Sequence, residues 1–212
     1  MISGLLSDPF GFLRSALLVL PGIIIGLSFH EFAHAWMAVK MGDPTPKIQG
    51  RVTLSPLAHI DPIGIIMLVL FRFGYGKPVQ INSYNFRNRR RGLILVSLAG
   101  ITMNFILAMV FSLLMRLVLR YFYMSTLFDV LMYAMVININ LMVFNLIPVP
   151  PLDGFKLVKT VLLNDKEPRW LQMIEQYSFI ILAVLIFTNV FSSILGAGSS
   201  FIMNIVMTIT GW

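Results

Sequence analysis

Leu17-Leu18-Val19-Leu20-Pro21-Gly22-Ile23-Ile24-Ile25-Gly26-Leu27-Ser28-Phe29-His30-Glu31-Phe32-Ala33-His34 is the stretch whose reading decides the fold, because an apolar run passes without a break into three ionisable side chains. The pattern stays helix-compatible to Met41, so residues 12–40 meet the roughly 20 apolar residues that a membrane-crossing helix needs. Only Arg14 precedes the apolar core and no small-residue cleavage site follows it, so the run reads as a retained span and not as a cleaved leader.

Outward from this stretch, further apolar runs of spanning length occupy about 93–119, 126–147 and 171–191, with a weaker one at 195–212 interrupted by Gly196, Gly198 and Gly211. The run at 63–73, with Gly64 near its start and Arg72 at its end, is about half the needed length and is expected to be re-entrant, its backbone covered by other protein. Residues 42–61 carry Pro44, Pro46, Pro56 and the β-leaning Arg51-Val52-Thr53-Leu54, which predicts a loop with a small β-hairpin.

Composition agrees with this layout. Of 212 residues 58% are hydrophobic and 12% charged, and the mean hydropathy is +0.85. So little charge cannot solvate a surface around that much apolar side chain, and lipid must be the solvent. The expected class is an all-α polytopic membrane protein of about five transmembrane helices in contact with the bilayer. One domain is expected over 1–212, with a core at about 12–160 and C-terminal helices at 171–212.

The net charge of +7 does not point to nucleic acid, since the basic residues fall in the gaps between apolar runs. Nine lie in 40–91 (Lys40, Lys47, Arg51, Arg72, Lys77, Arg87, Arg89, Arg90, Arg91) and four in 148–170 (Lys156, Lys159, Lys166, Arg169), against Arg14, Arg116 and Arg120 elsewhere. Positive charge collects on the cytosolic side, which predicts an outside N-terminus and places both basic regions in the cytosol. A spanning 63–73 segment would put the membrane between Arg87–Arg91 and Lys40, Lys47 and Arg51, and the bias would vanish. There is no cysteine, so any metal must rest on His, Asp or Glu.

Glu31 and Asp153 are the acidic residues that lie in or beside apolar spans with chemistry close by. A carboxylate at membrane depth costs at least roughly 2.5–3.5 kcal/mol unless something compensates, so both are functional candidates. His30 and His34, four residues apart on a helix turning about 100° per residue, project within about 40° of each other and can reach one metal. Glu31 lies between them, in the H-E-x-x-H arrangement whose glutamate serves as general base beside a zinc-bound water. The alternative is a buried polar network without metal. Zinc suits N and O donors and keeps an open position beside three protein ligands. The third ligand is His59 or Asp153. Asn145-Leu146-Ile147-Pro148-Val149-Pro150-Pro151-Leu152-Asp153-Gly154 favours Asp153, because its prolines forbid regular helix, and unwound backbone at membrane depth survives where it lines a site.

These residues resemble the site-2 protease family of intramembrane zinc metalloproteases. His30-Glu31-Phe32-Ala33-His34 and Asn145-x-x-Pro148-x-Pro150-x-Leu152-Asp153-Gly154 are similar to its two motifs, in the family's order. Pro56–Pro62, Lys77-Pro78-Val79 and Ala99-Gly100-Ile101-Thr102-Met103-Asn104 extend the similarity over most of 20–160. The resemblance implies one zinc held by His30, His34 and Asp153, with Glu31 as catalytic base. It also implies that Asn145 lies beside the site against the substrate strand, and His59 and Asn104 are further substrate-side candidates. It implies peptide-bond hydrolysis in or next to transmembrane segments of other proteins, in a multi-pass prokaryotic cell-membrane protein whose site faces the cytosolic side. The chain looks like the minimal form, without PDZ or nucleotide-sensing domains. Ile101 departs from the family pattern by replacing a usual proline. Two rivals use the same residues: a transporter or metal-permeation protein with an ion site at a broken helix, and a catalytically silent binder of membrane helices. The pattern assigns no oligomeric state.

Overall fold

The computed structural model describes residues 7–71, 76–122, 124–163, 168–186 and 188–212. The decisive apolar stretch forms α1, Pro9–Met41, which starts where Asp8 accepts from the Gly11 N–H at 2.9 Å and stops at Gly42 in left-handed backbone. Two short helices follow, α2 (Thr45–Ile48) and α3 (Pro56–His59), and then α4 (Pro62–Phe71). After a 3-10 turn at Ser83–Asn85 come the long α5 (Arg89–Tyr121), capped by Asn88, and α6 (Ser125–Leu146). The chain ends in α7 (Asp153–Leu163), α8 (Arg169–Gln176), α9 (Ser178–Ile186) and α10 (Asn189–Thr210).

Four of these helices, α1, α5, α6 and α10, are long and apolar enough to cross a membrane, and the α8–α9 pair supplies a fifth if it counts as one span. The chain is an all-α polytopic membrane protein. α5 packs along α6 and α1, and α10 lies against α6 and α5. Their shared core joins Leu107, Phe111 and Met115 of α5 to Leu131, Met135 and Ile139 of α6 and Val206 of α10. On the other side of α5, Ile106, Val110, Leu113 and Leu117 stay exposed, as lipid-facing side chains do.

Three details differ from the sequence reading. Residues 42–61 hold helical turns, and no strand occurs among the described residues. Pro56 sits in the first turn of α3 and Pro46 in that of α2, where a missing N–H costs nothing. The Arg51–Leu54 stretch finds no partner strand because its Arg51 N–H turns back to Pro46 O at 2.8 Å. The expected span at 171–191 is broken after Gln176, with a 61° bend between α8 and α9. The break follows the polar Arg169, Gln172, Glu175 and Gln176 of α8, which Lys159 pins through Glu175 at 2.7 Å. The last helix begins at Asn189, not 195, because Thr188 caps it through the Phe191 N–H. The family's usual proline position needs no break here, since α5 runs through the buried Ile101.

The 63–73 segment lies within α4 as far as Phe71, with 72–73 outside the described residues. α4 does not cross, because the chain enters and leaves this region at one end of the bundle. The Arg87 N–H donates to Met41 O at 2.9 Å, closing the loop where α1 ends and α5 begins. Asp43 seals that closure. It accepts from Thr45 Oγ1 (2.6 Å) and N (3.1 Å), Asn85 Nδ2 (2.9 Å) and the Asn82 N–H (2.7 Å). Burial alone would raise its pKa, but the Thr45, Asn85 and Asn82 donors outweigh burial and hold the carboxyl below the usual carboxylate range.

A carboxyl with a depressed folded pKa contributes stability that is complete above its unfolded pKa, about 3.9, and is lost as pH falls through the folded value. Asp43→Ala is therefore expected to cost about 2–3 kcal/mol at neutral pH, and the gap to wild type should shrink below about pH 4. Thermal unfolding in detergent at a series of pH values measures it; a gap that grows on acidification contradicts this role.

Candidate metal centre

α1 places His30 and His34 on adjacent turns, roughly 10–16 Å from its C-terminal end at 1.5 Å per residue. Both are buried, and their Nε2 atoms approach to 3.0 Å. The third member arrives from the far end of α6. There the prolines stop the helix at Leu146, and short turns (Val149 N–H to Ile147 O at 2.8 Å, Leu152 N–H to Val149 O at 3.0 Å) carry the chain to Asp153, the first residue of α7. Leu152 anchors this turn in an apolar cluster with Ile147, Leu182 and Phe191. Gly154 is required by space, because a Cβ there would strike Leu146 O. Asp153 Oδ2 then stands 3.2 Å from His30 Nε2 and 2.9 Å from His34 Nε2, while Oδ1 takes the Lys156 ammonium at 2.9 Å.

The outer nitrogens decide what these three atoms are. Val96 O can only accept, so His34 Nδ1, 2.8 Å away, carries the proton. Asn104 Oδ1 lies 3.1 Å from His30 Nδ1 and fixes the same tautomer. Both Nε2 atoms therefore present lone pairs toward a carboxylate oxygen that itself accepts no well-aimed hydrogen bond. Three buried acceptors facing one another repel unless a cation sits among them. Their spacing of 2.9–3.2 Å is close to the roughly 3.3 Å edge of a tetrahedron with bonds of about 2.0–2.1 Å. The donor set fits zinc, and His30, His34 and Asp153 are the group that could hold a metal among the described residues.

The wall opposite the histidines is α5, through Val96, Gly100 and Asn104, which recur every four residues and so share a face. A Cβ on Gly100 would stand 2.5 Å from His30 Cε1 and 2.6 Å from His34 Nε2. Glu31 lies outside the metal group, and its Oε2 accepts from the Val79 N–H at 3.0 Å. Asn145 is half-buried and donates through Nδ2 to Leu141 O of its own helix at 2.9 Å. His59 is not in the metal group: it is buried in the loop and donates from Nε2 to Thr53 O at 2.7 Å. Asn104 lies behind His30, with its Oδ1 3.1 Å from His30 Nδ1. No sequence signal marks Lys156 or Val96 as part of the centre, whereas the i, i+4 pairing of Gly100 with Asn104 is open to reading as a shared face.

A multi-pass helical bundle with this centre defines a class, the membrane-embedded metalloproteases, and the relatives agree with it. The description "Peptidase family M50" matches residues 120–188, which include the Asn145–Gly154 motif. Several relatives carry the name "Putative zinc metalloprotease". YwhC of Bacillus subtilis (strain 168) is 36% identical over 179 residues, covering 82% of this chain and 81% of its own. Rip2 of Mycobacterium tuberculosis (strain ATCC 25618 / H37Rv) is 30% identical over 190 residues, 87% and 72% of the two chains. No solved structure matches the chain significantly. The chain belongs to peptidase family M50, the site-2 proteases, and is a membrane zinc metalloprotease of that family.

Proposed function

We propose that this protein hydrolyses peptide bonds in or next to transmembrane segments of other membrane proteins, as the proteolytic step of regulated intramembrane proteolysis. The observation that carries this reading is the convergence of His30 Nε2, His34 Nε2 and Asp153 Oδ2 beside helices long and apolar enough to cross a membrane. When bound there, zinc supplies Lewis acidity toward a water and the scissile carbonyl. The chain's own groups do the rest. Asn104 and Val96 O hold the imidazoles in the tautomer that points lone pairs inward, and Lys156 neutralises the outer oxygen of Asp153. Glu31 Oε1 takes the proton from the attacking water and returns it to the leaving amine. Cleavage of single-span substrates by the purified protein, abolished by a zinc chelator and restored by zinc, tests this. Chelator-resistant cleavage would overturn it.

The outside N-terminus belongs to the same reading. The Arg87–Met41 closure supports it by placing Lys40, Lys47 and Arg87–Arg91 at one end of the bundle. Because the chain lacks cysteine, single labels report side directly. Arg87→Cys is expected to label from the cytosol and Ser125→Cys from outside, and labelling of both from one side contradicts the layout.

In the same reading Asn145 serves the substrate side of the centre. With one N–H committed to Leu141 O, its remaining amide N–H and carbonyl suit the backbone of an unwound substrate, whose unpaired groups cost a few kcal/mol in an apolar setting. Asn145→Ala is expected to keep zinc and lose roughly 10–100-fold in cleavage, at about 1.4 kcal/mol per decade. If the loss merely tracks thermal stability, Asn145 serves only its helix end.

A further inference from the structure

Two stretches of the 42–88 region come together over Glu31. Arg51, 6% exposed, sends its guanidinium to Ala58 O in α3 and to Lys77 O in the extended strap that starts at Gly76. The Lys77 N–H donates to His59 O at 2.7 Å, so the strap is joined to the α3 loop on both sides of one residue. Two residues on, the Val79 N–H reaches Glu31 Oε2 at 3.0 Å. Gly76 brings the strap near the same side chain, since a Cβ there would lie 4.0 Å from Glu31 Cγ. Among the described residues no carboxylate closes an ion pair with this buried guanidinium, although Glu31 lies near enough for their charges to attract, and its fork matches two carbonyls in a way that a single ammonium does not.

Resting on the proposed role of Glu31, we infer that Arg51 is a positioning residue for the general base. It locks the 76–79 strap so that the Val79 N–H holds one carboxylate oxygen, leaving Oε1 to face the attacking water. A glutamate on a lipid-embedded helix otherwise has several rotamers, and only the one turned toward the water catalyses. The backbone N–H selects a rotamer without adding a competing proton donor at the reacting oxygen. The Arg51 fork reaches Ala58 O and Lys77 O and no metal ligand, so it acts through the strap, and its charge, which also attracts Glu31, is kept in a lysine variant.

Arg51→Lys removes the fork and Val79→Pro removes the donor itself. Both are expected to bind about one zinc per chain, keep KM within about twofold and lose about 10–100-fold in kcat. Because they act through Glu31, each should add less than about twofold in a Glu31→Asp background, whose shorter side chain has already left the Val79 N–H. A metal-free readout accompanies these: amide exchange of the 76–82 peptide should be about tenfold faster in Arg51→Lys, and the Val79 amide faster in Glu31→Ala. Wild-type kcat in either folded variant overturns the inference. So do a raised KM at unchanged kcat, which would make the strap a substrate contact, a full multiplicative loss in Glu31→Asp, and unaltered exchange. Should Val79→Pro not fold, Arg51→Lys and the exchange measurement decide. An active Glu31→Gln would sink the proposed function instead, whereas an inactive Glu31→Gln beside a fully active Arg51→Lys sinks only this inference.

Discussion

Glu31→Gln is expected to hold zinc as wild type does and to cleave roughly 10²–10⁴-fold more slowly, the range that a positioned proton-transfer group contributes. Glutamine matches glutamate in size, and its carbonyl can still accept from the Val79 N–H, so the strap at 76–79 stays in place. The amide cannot take a proton from water. Zinc content should not fall, because Glu31 lies outside the His30, His34, Asp153 group. Zinc analysis by plasma mass spectrometry and cleavage of a single-span substrate in proteoliposomes are the two measurements. Activity within a few-fold of wild type would remove the base from the mechanism and favour a permeation role for the same centre.

Gly100→Ala is expected to empty the centre. The added methyl would stand 2.5–2.7 Å from His30 Cε1, His34 Nε2 and His30 Nε2, closer than real contacts allow. Neither ring can retreat freely. His30 is tied to Asn104 and His34 to Val96 O, and both anchors sit on the same helix that carries the methyl. Overpacking of this kind costs about 1–3 kcal/mol in stability. The larger effect falls on the metal: loss of an outer hydrogen bond alone lowers affinity about 10–100-fold, and displacing two ligands together should exceed that. Zinc binding by titration should weaken at least about 100-fold while the metal-free protein unfolds within a few degrees of wild type. Full zinc occupancy at low micromolar metal in Gly100→Ala would show that α5 does not form the wall of the centre.

The spans at 12–40, 93–119 and 126–147 were legible in the sequence because lipid imposes one rule on every residue of a crossing helix, and composition over about 20 positions reports it. The pairing of His30 with His34 was legible for a similar reason, since helix periodicity alone brings i and i+4 together. Where polarity and apolarity compete, the reading was weaker. The polar α8 broke the run at 171–191, and the β-leaning Arg51–Leu54 folded into a turned loop because strand propensity needs a partner strand, which this loop does not contain.

The sequence by itself determined the solvent, the crossing helices and the residue types able to hold a metal, since each depends on local composition or spacing. Only the tertiary structure decided which atoms meet. It set Asp153 rather than His59 beside the histidines, Asn104 behind His30, the glycine face of α5 across from the rings, and Arg51 with the Val79 amide around Glu31. The physical reason is that these contacts join residues tens of positions apart through backbone groups and empty space. A carbonyl, an amide N–H and a missing Cβ leave no side-chain pattern to read.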